Sequence, residues 1–256
     1  MKLKKLLPIT NGTRHQIKLQ KNLLVKKNGF LKSLLKKSKS NKGRSSQTGH
    51  ITVRHKSNGC KYRLHVLNNL SLFYAINICH MYSSTTNAFI ALNFDFLTKS
   101  FFKTISTANI FPGSFIISNF KVKENFIGYR TKLKYLPIGS VIHSISLDNN
   151  IIFCSSAGTY ASLLEKKKKC KIRLPSGVII TVPENYFAVL GSVSNDLHKS
   201  LYIGKAGRNR LKGIRPSVRG VAMNPVDHPH GGRTNGGRPS VTPWGIPTKG
   251  KPTVKK

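Results

Sequence analysis

Hydrophobic and polar positions fall into three regimes along the chain. From Met1 to about Gly49, Lys clusters alternate with Gly, Ser and Asn, as in LKKSKSNKGRSSQTG, and few residues are available to bury. Only residues 16–25 and 30–35 hold enough apolar side chains to touch a surface. Residues 1–49 are therefore expected to be a basic arm that orders against a polyanion. From His50 the pattern changes to short runs of Val, Ile, Phe, Tyr and Thr bounded by Gly, Pro or Asn, which predicts strands. HITVRH (50–55) and KYRLHVL (61–67) read as a hairpin about Ser57-Asn58-Gly59. LFYAINICHM, AFIALNFDFL, KSFFKTIS and FIIS extend the series, broken at Pro112-Gly113. About five strands in roughly 70 residues suggest a small barrel of the oligonucleotide-binding type over 50–127, with an open sheet face suited to nucleic acid.

A second set begins after KLKYLPIGS. VIHSISL, IIFCSS, YASLLE, KIRLPSG, VIITVP and FAVLGSVS are again short apolar runs, and they predict a second small barrel over 128–197. Its Lys run 166–169 reads either as a solvated hairpin turn or as an RNA contact. Over 198–256 periodicity vanishes, and Gly, Pro, Arg and Lys dominate. Such a segment cannot build its own core and needs a partner to order it.

Charge identifies the class of partner. The 256 residues carry 44 Lys plus Arg against 7 Asp plus Glu, a formal net charge of +37. A chain so charged repels itself unless a polyanion neutralises it, and nucleic acid fits that role. The acids Asp95, Glu124, Asp148, Glu165, Glu184, Asp196 and Asp227 stand singly, without the pairs that acid/base or metal chemistry wants. Cys60, Cys79, Cys154 and Cys170 lie far apart and read as free thiols. A zinc set of His55, Cys60, Cys79 and His80 is disfavoured because adjacent ligands on a strand point to opposite faces. Residues 66–94 contain no Asp, Glu, Lys or Arg, but polar interruptions at Asn68, Asn69, Asn77, His80 and 83–87 rule out a membrane span there. No metal, cofactor or small-molecule substrate is expected, and MKLKKLLPIT, basic and acid-free but without the Ser and Arg richness of a transit peptide, reads either as such a peptide or as a short cationic arm.

Two tail motifs, GKAGRNRLKGIRPSVRGVAMNPVDHPHGG (204–232) and GGRPSVTPWGIPTKGK (236–251), closely resemble the C-terminal extension of the universal large-subunit ribosomal protein of the L-two family. GHITVRHKSNGCKYR (49–63) resembles the opening of that family's first barrel, and LPIGSVIHSI and SSAGTYASLL resemble its second. Residues 70–118 depart widely. The resemblance implies an oligonucleotide-binding barrel, an SH3-like barrel and basic extensions ordered by large-subunit ribosomal RNA near the peptidyl-transferase region. It also implies neighbouring ribosomal proteins as partners and a part in subunit joining.

The residues support the same chemistry. Arg208, Arg210, Lys212, Arg215, Arg219, Arg233 and Arg238 stand among glycines that let backbone amides approach phosphates, while Arg forks grip them. Lys205, Asn224, Lys249 and Lys251 join this RNA-binding set. Arg54, His55, Lys56, Lys61, Tyr62 and Arg63 would line a basic hairpin. Trp244 would stack on an unpaired base or anchor the tail against a barrel. By the resemblance, Asp227, His228 and His230 sit at the tip of the extension. A neutral His228, its tautomer fixed by Asp227, would organise RNA there rather than transfer protons.

An enzyme built on Asp227, His228, His230 and Ser217 lacks a scaffold that would fix its geometry. An architectural DNA-binding protein would share the charge but not the tail motifs. Asn, Ile, Phe and Lys stand where the family carries Gly, Val, Ala and Arg, which suggests an AT-rich organellar genome. A mitochondrion is the expected location, with a plastid or a bacterial cytoplasm as alternatives.

Overall fold

The computed structural model describes residues 2–21, 24–25, 31, 35–37, 43–60, 63–67, 73–83, 86–118, 126–147, 150–233 and 239–250. The chain is mainly β, and it divides into one unit of residues 1–39 with 61–206 and another of 40–60 with 207–256.

The first unit carries an eleven-stranded sheet among its described residues. One set comprises β5 (Phe73–Met81), β6 (Ile90–Asp95), β7 (Ser100–Ile105) and β8 (Phe115–Ser118), in the order β7-β6-β5-β8. The other comprises β9 (Arg130–Lys132), β10 (Val141–Leu147), β11 (Asn150–Phe153), β12 (Ala161–Glu165), β13 (Lys169–Arg173), β14 (Ile179–Pro183) and β15 (Phe187–Leu190). Its order is β14-β13-β12-β10-β15-β9, with β11 also on β10. Neighbours pair antiparallel within each set, and one parallel pair, Ser118 with Arg130, joins the two. Both sets lie where the apolar runs place them.

Strand β9 was hidden in the sequence because Arg130-Thr131-Lys132 reads as polar. Arg130 is nevertheless buried. Its guanidinium donates to the Ser146 hydroxyl (3.0 Å) and lies 4.6 Å from the Phe187 ring centroid, so its charge is hydrogen-bonded and its planar face is packed.

Alternation along β12 and β13, together with the register irregularity in β10, brings Ile142, Ile145, Leu163, Cys170 and Ile172 into one core with Leu133 and Leu136. Each such aliphatic side chain contributes about 1.5–3 kcal/mol of burial. In the first set Phe73, Ala75, Phe102 and Ile116 form a smaller core, with the two Phe rings 4.8 Å apart. Burial pushes the Asp95 carboxyl up. Hydrogen bonds from the Thr98 hydroxyl and the Leu97, Thr98 and Tyr74 N–H groups outweigh that, and its pKa lies below the ordinary value.

A chain of buried polar groups runs from β5 to β10. Asn77 Nδ2 lies 3.0 Å from His80 Nε2, and His80 Nδ1 lies 3.0 Å from the Ser106 hydroxyl. The Thr107 hydroxyl lies 2.8 Å from His143 Nε2, and His143 Nδ1 lies 2.9 Å from the Ser144 hydroxyl. Ser144 has φ 48°, at the irregularity in β10 that brings His143 inward. Burial drives the His143 pKa down to about 3 and lowers that of His80, so both rings are neutral at physiological pH.

Two expectations change. Residues 2–21 of the arm are built on the chain itself: β1 (Leu3–Lys5) pairs with β2 (Ile17–Leu19). Ile17 and Tyr202 exchange backbone hydrogen bonds of 3.0 and 3.3 Å, so the exposed edge of a short hairpin finds its partner at residue 202. The hairpin about Ser57-Asn58-Gly59 does not form either. Among the described residues, 50–60 enter only isolated bridges, at Ile51 and Lys56. Instead β4 (Arg63–His65) pairs with β3 (Leu35–Lys37).

Candidate nucleic-acid interface

The backbone groups that a 50–67 hairpin would have used are satisfied by the C-terminal segment. The Ser57 N–H donates to the Gly213 carbonyl (2.8 Å), the Cys60 N–H to that of Leu211 (2.8 Å), and the Arg215 N–H to that of His55 (3.0 Å). Lys56 bridges Ile214. Two glycines permit this close crossing. A Cβ on Gly59 (φ +60°) would sit 2.7 Å from the Gly213 nitrogen, and one on Gly213 (φ +83°) 2.8 Å from the Ser57 oxygen.

The seam gathers residues that lie more than 150 positions apart in the sequence. Exposed Arg54, His55 and Lys56 come beside half-buried Arg215 and exposed Lys212. Helix α1 (Ala206–Leu211) precedes them and carries Arg208 and Arg210 in its last turn. A cavity of about 350 Å³ at the seam is lined by Gly43, Arg44, Ile51, Lys56, Ser57, Asn58 and Arg215. Arg44, Lys56 and Arg215 in one lining make it a cationic hollow suited to a phosphate, with the Arg44 guanidinium also donating to the Gly49 carbonyl (2.9 Å). Sequence reasoning missed Arg44 and Asn58. The available signal was Gly43, where a Cβ would meet the Val53 and Lys56 carbonyl oxygens at 2.4 and 2.7 Å, so the backbone must pass close at that point.

Trp244 is 76% exposed, and its ring centroid lies 5.9 Å from the Arg54 guanidinium. It is not a buried anchor, and its face is available for stacking. The 224–231 loop is tightly turned: the Asp227 and His228 N–H groups donate to the Asn224 carbonyl, and the Gly231 N–H to that of His228. His228 is buried, and a Cβ on Gly220 would lie 2.6 Å from its ring. His228 Nδ1 accepts the His230 backbone N–H (3.0 Å), which leaves Nε2 as the protonated nitrogen. The tautomer is thus set by the backbone of His230 rather than by Asp227. His230 Nε2 in turn lies 3.0 Å from the Pro239 carbonyl and 3.2 Å from the Val241 nitrogen.

Arg219, Asn224, Asp227, Arg233 and Lys249 are exposed in the same unit. Lys205 belongs to the other unit, where its side chain runs 3.3 Å from the Cβ position of Gly12. Arg63 contributes its backbone to β4. Lys61, Tyr62, Arg238 and Lys251 lie outside the described residues. In the Lys run, Lys166 donates to the Leu136 carbonyl (3.2 Å), and Lys171 beyond it forms a solvent-exposed pair with Glu165 at 2.9 Å. Among the described residues no cluster of three His, Cys, Asp or Glu could hold a metal, and no helix is long and apolar enough to cross a membrane.

The seam is testable through its glycines. Gly213→Ala forces a side chain against the Ser57 carbonyl at a positive φ, with an expected cost of about 1–3 kcal/mol to this unit. Limited proteolysis should then cut residues 43–60 several-fold faster, while β5–β15 stay resistant. Unchanged cleavage of 43–60 would show that the crossing does not hold them.

Comparison with known proteins places the chain among ribosomal proteins. Residues 127–245 match the family of ribosomal proteins L2, C-terminal domain. The chain is 40% identical over 266 residues to large ribosomal subunit protein uL2 of Ehrlichia canis, covering 100% of this chain and 95% of that protein. It is 39% identical over 268 residues to large ribosomal subunit protein uL2m of Reclinomonas americana and 38% over 265 to uL2 of Rickettsia massiliae, with the same coverage.

Proposed function

Since the chain belongs to the uL2 family and is a structural constituent of the large ribosomal subunit, we propose that it binds large-subunit ribosomal RNA chiefly through the seam of residues 43–60 and 207–250. The observation that carries this reading is the convergence of Arg44, Lys56 and Arg215 on one hollow, beside Arg54, Lys212 and the helix bearing Arg208 and Arg210. These cations position the backbone of the RNA, glycines give it close approach, and Trp244 with Arg54 above it offers a stacking face.

Arg219, Arg233, Arg238, Lys205, Lys249, Lys251, Lys61 and Arg63 extend the contact along the RNA. Asn224, Asp227, His228 and His230 hold a rigid loop that helps organise the peptidyl-transferase region, with Nε2 of His228 as donor. The division into a basic arm, an oligonucleotide-binding barrel, an SH3-like barrel and an RNA-ordered extension belongs to this reading, with residues 50–60 working alongside the extension. So do the absence of catalytic activity, a part in subunit association and residence in a mitochondrion. The identity to Reclinomonas uL2m supports that location, and the identity to bacterial uL2 proteins keeps a bacterial cytoplasm as the alternative.

The test compares binding of the full chain to a structured large-subunit RNA fragment and to duplex DNA of equal length. RNA should bind at least tenfold tighter, because unpaired bases and the 2′-hydroxyl are absent from the duplex. Arg54→Ala with Arg215→Ala should weaken RNA binding by about ten- to a hundredfold. Equal affinity for RNA and DNA would favour an architectural DNA-binding protein instead.

A further inference from the structure

The strands β7-β6-β5-β8 carry apolar side chains on both faces, with buried Asn77, Asn93, Asp95 and Ser118 interspersed on the inner one. Their register sets Phe101 beside Phe94, Phe94 beside Ile76, and Ile76 beside Phe115, a row that crosses all four strands. Tyr74 pairs with Ile117 on the same side, and Phe96, just past β6, donates its N–H to the Tyr74 carbonyl. The Phe96 ring lies 5.8 Å from that of Phe94 and 6.3 Å from that of Phe115. The alternate positions Phe73, Ala75, Phe102 and Ile116 are already spent on the core beneath. A sheet solvated on one side alternates apolar with polar, so two apolar faces mark a middle layer. Yet Tyr74, Phe96 and Phe115 are 47%, 49% and 63% exposed. Together these rings present on the order of several hundred Å² of apolar surface, the size of a working contact.

We propose that this face docks the apolar side of an amphipathic helix belonging to a neighbouring protein of the large subunit. The proposal rests on membership of that subunit. Charge selects the occupant. Strands β5, β6 and β8 carry no Lys or Arg, and their one carboxylate, Asp95, is buried and hydrogen-bonded. RNA platforms of stacking rings are combined with cations that follow the phosphates, and a chain with 44 Lys plus Arg has set beside this row only Lys99, at its edge, and the buried Lys103. A second copy would bring another net charge of +37 against the first.

The neighbouring half of the same face shows what seats there. Beyond the irregularity between Asn77 and Cys79, the side chains of Cys79, Met81, Ile90 and Leu92 are buried under Leu31, with Leu67 packed alongside. Lys103 on that half is itself buried. Among the described residues this aliphatic cover stops short of the aromatic row, so a helix presenting Leu, Ile or Met at i, i+3 and i+4 continues an existing layer.

Photo-reactive benzoylphenylalanine placed at Phe115, and separately at Phe96, in the full chain assembled into large subunits tests this. Both positions should crosslink to a single helix of one neighbouring protein, identified by peptide mass spectrometry. Crosslinks to RNA, to a second copy, to residues 119–125 of the same chain, or none from either position would overturn the proposal. The variant Phe96→Ser with Phe115→Ser should retain RNA affinity within twofold of the parent chain while occupancy of that neighbour in assembled subunits falls at least fivefold. A matching loss of RNA affinity in a folded variant would assign the face to RNA, and the crosslinks decide if the variant does not fold. Failure of the parent chain itself to bind RNA would instead strike the proposed function.

Discussion

Raising monovalent salt from 50 to 200 mM will weaken binding of the full chain to large-subunit RNA roughly a thousandfold or more. The expectation follows from counterion release. Each phosphate neutralised by Lys or Arg frees condensed cations, and the logarithm of affinity falls linearly with that of salt, by nearly one unit per contact. About ten contacts suffice for a loss of this size, and the seam and tail hold more cations than that. Filter binding across a salt series gives the slope directly. A flat response would mean that apolar or base-specific contacts dominate, which would sink the phosphate-gripping role of Arg44, Lys56 and Arg215. Removing Arg54 and Arg215 together should reduce the slope by about two contacts.

Acid will destabilise the RNA-free chain well before its carboxylates titrate. His143 is neutral when folded, with its pKa held down to about 3 by burial, against 6.5 for the ordinary side chain. A group whose folded pKa is depressed contributes stability that is fully present above the unfolded value and lost as pH falls toward the folded one. The window is therefore pH 6.5 down to about 3. At pH 4.5 the expected loss from this group is about 3 kcal/mol, near a hundredfold in the folding equilibrium. Burial lowers the His80 pKa as well and adds loss of the same sign.

Denaturant midpoints at pH 7.5 and 4.5, read by circular dichroism, measure the total. His143→Gln keeps a donor and an acceptor for Thr107 and Ser144 but cannot titrate. General charge repulsion at low pH is common to both proteins, so the difference between them isolates the ring. An equal loss in both, with the variant folded at pH 7.5, would place the acid sensitivity elsewhere.

Strand content was legible in the sequence wherever apolar runs were uninterrupted, as in FYAINICHM, VIHSISL and FAVL, because burial of alternate side chains leaves a mark in the chain itself. The RTK of β9 carried no such mark. Its inward residue is an arginine whose hydrogen bond to Ser146 and packing on Phe187 can be recognised only once β10 and β15 are in place. HITVRH had the converse fault. Its composition favours a strand, but the backbone of the following turn is claimed by Leu211 and Gly213, and no local pattern announces a partner so distant. Arg54, His55 and Lys56 were singled out on charge, as were Arg208 through Arg215, but nothing in either segment revealed that they share one seam. Local composition named the cations. Long-range backbone pairing decided which of them meet.

That pairing also imposes an order in time. Residues 43–60 leave the synthesising ribosome roughly 150 residues ahead of Leu211 and Gly213, an interval of about ten to thirty seconds at ordinary elongation rates. The eleven-stranded sheet can form before Leu211 appears, whereas the early segment must wait with its Ser57 and Cys60 amides in water. The nascent chain therefore has a late checkpoint: a product released before Leu211 would own a complete sheet and an unfinished seam, and would be discriminated against at assembly by the one surface it could not finish.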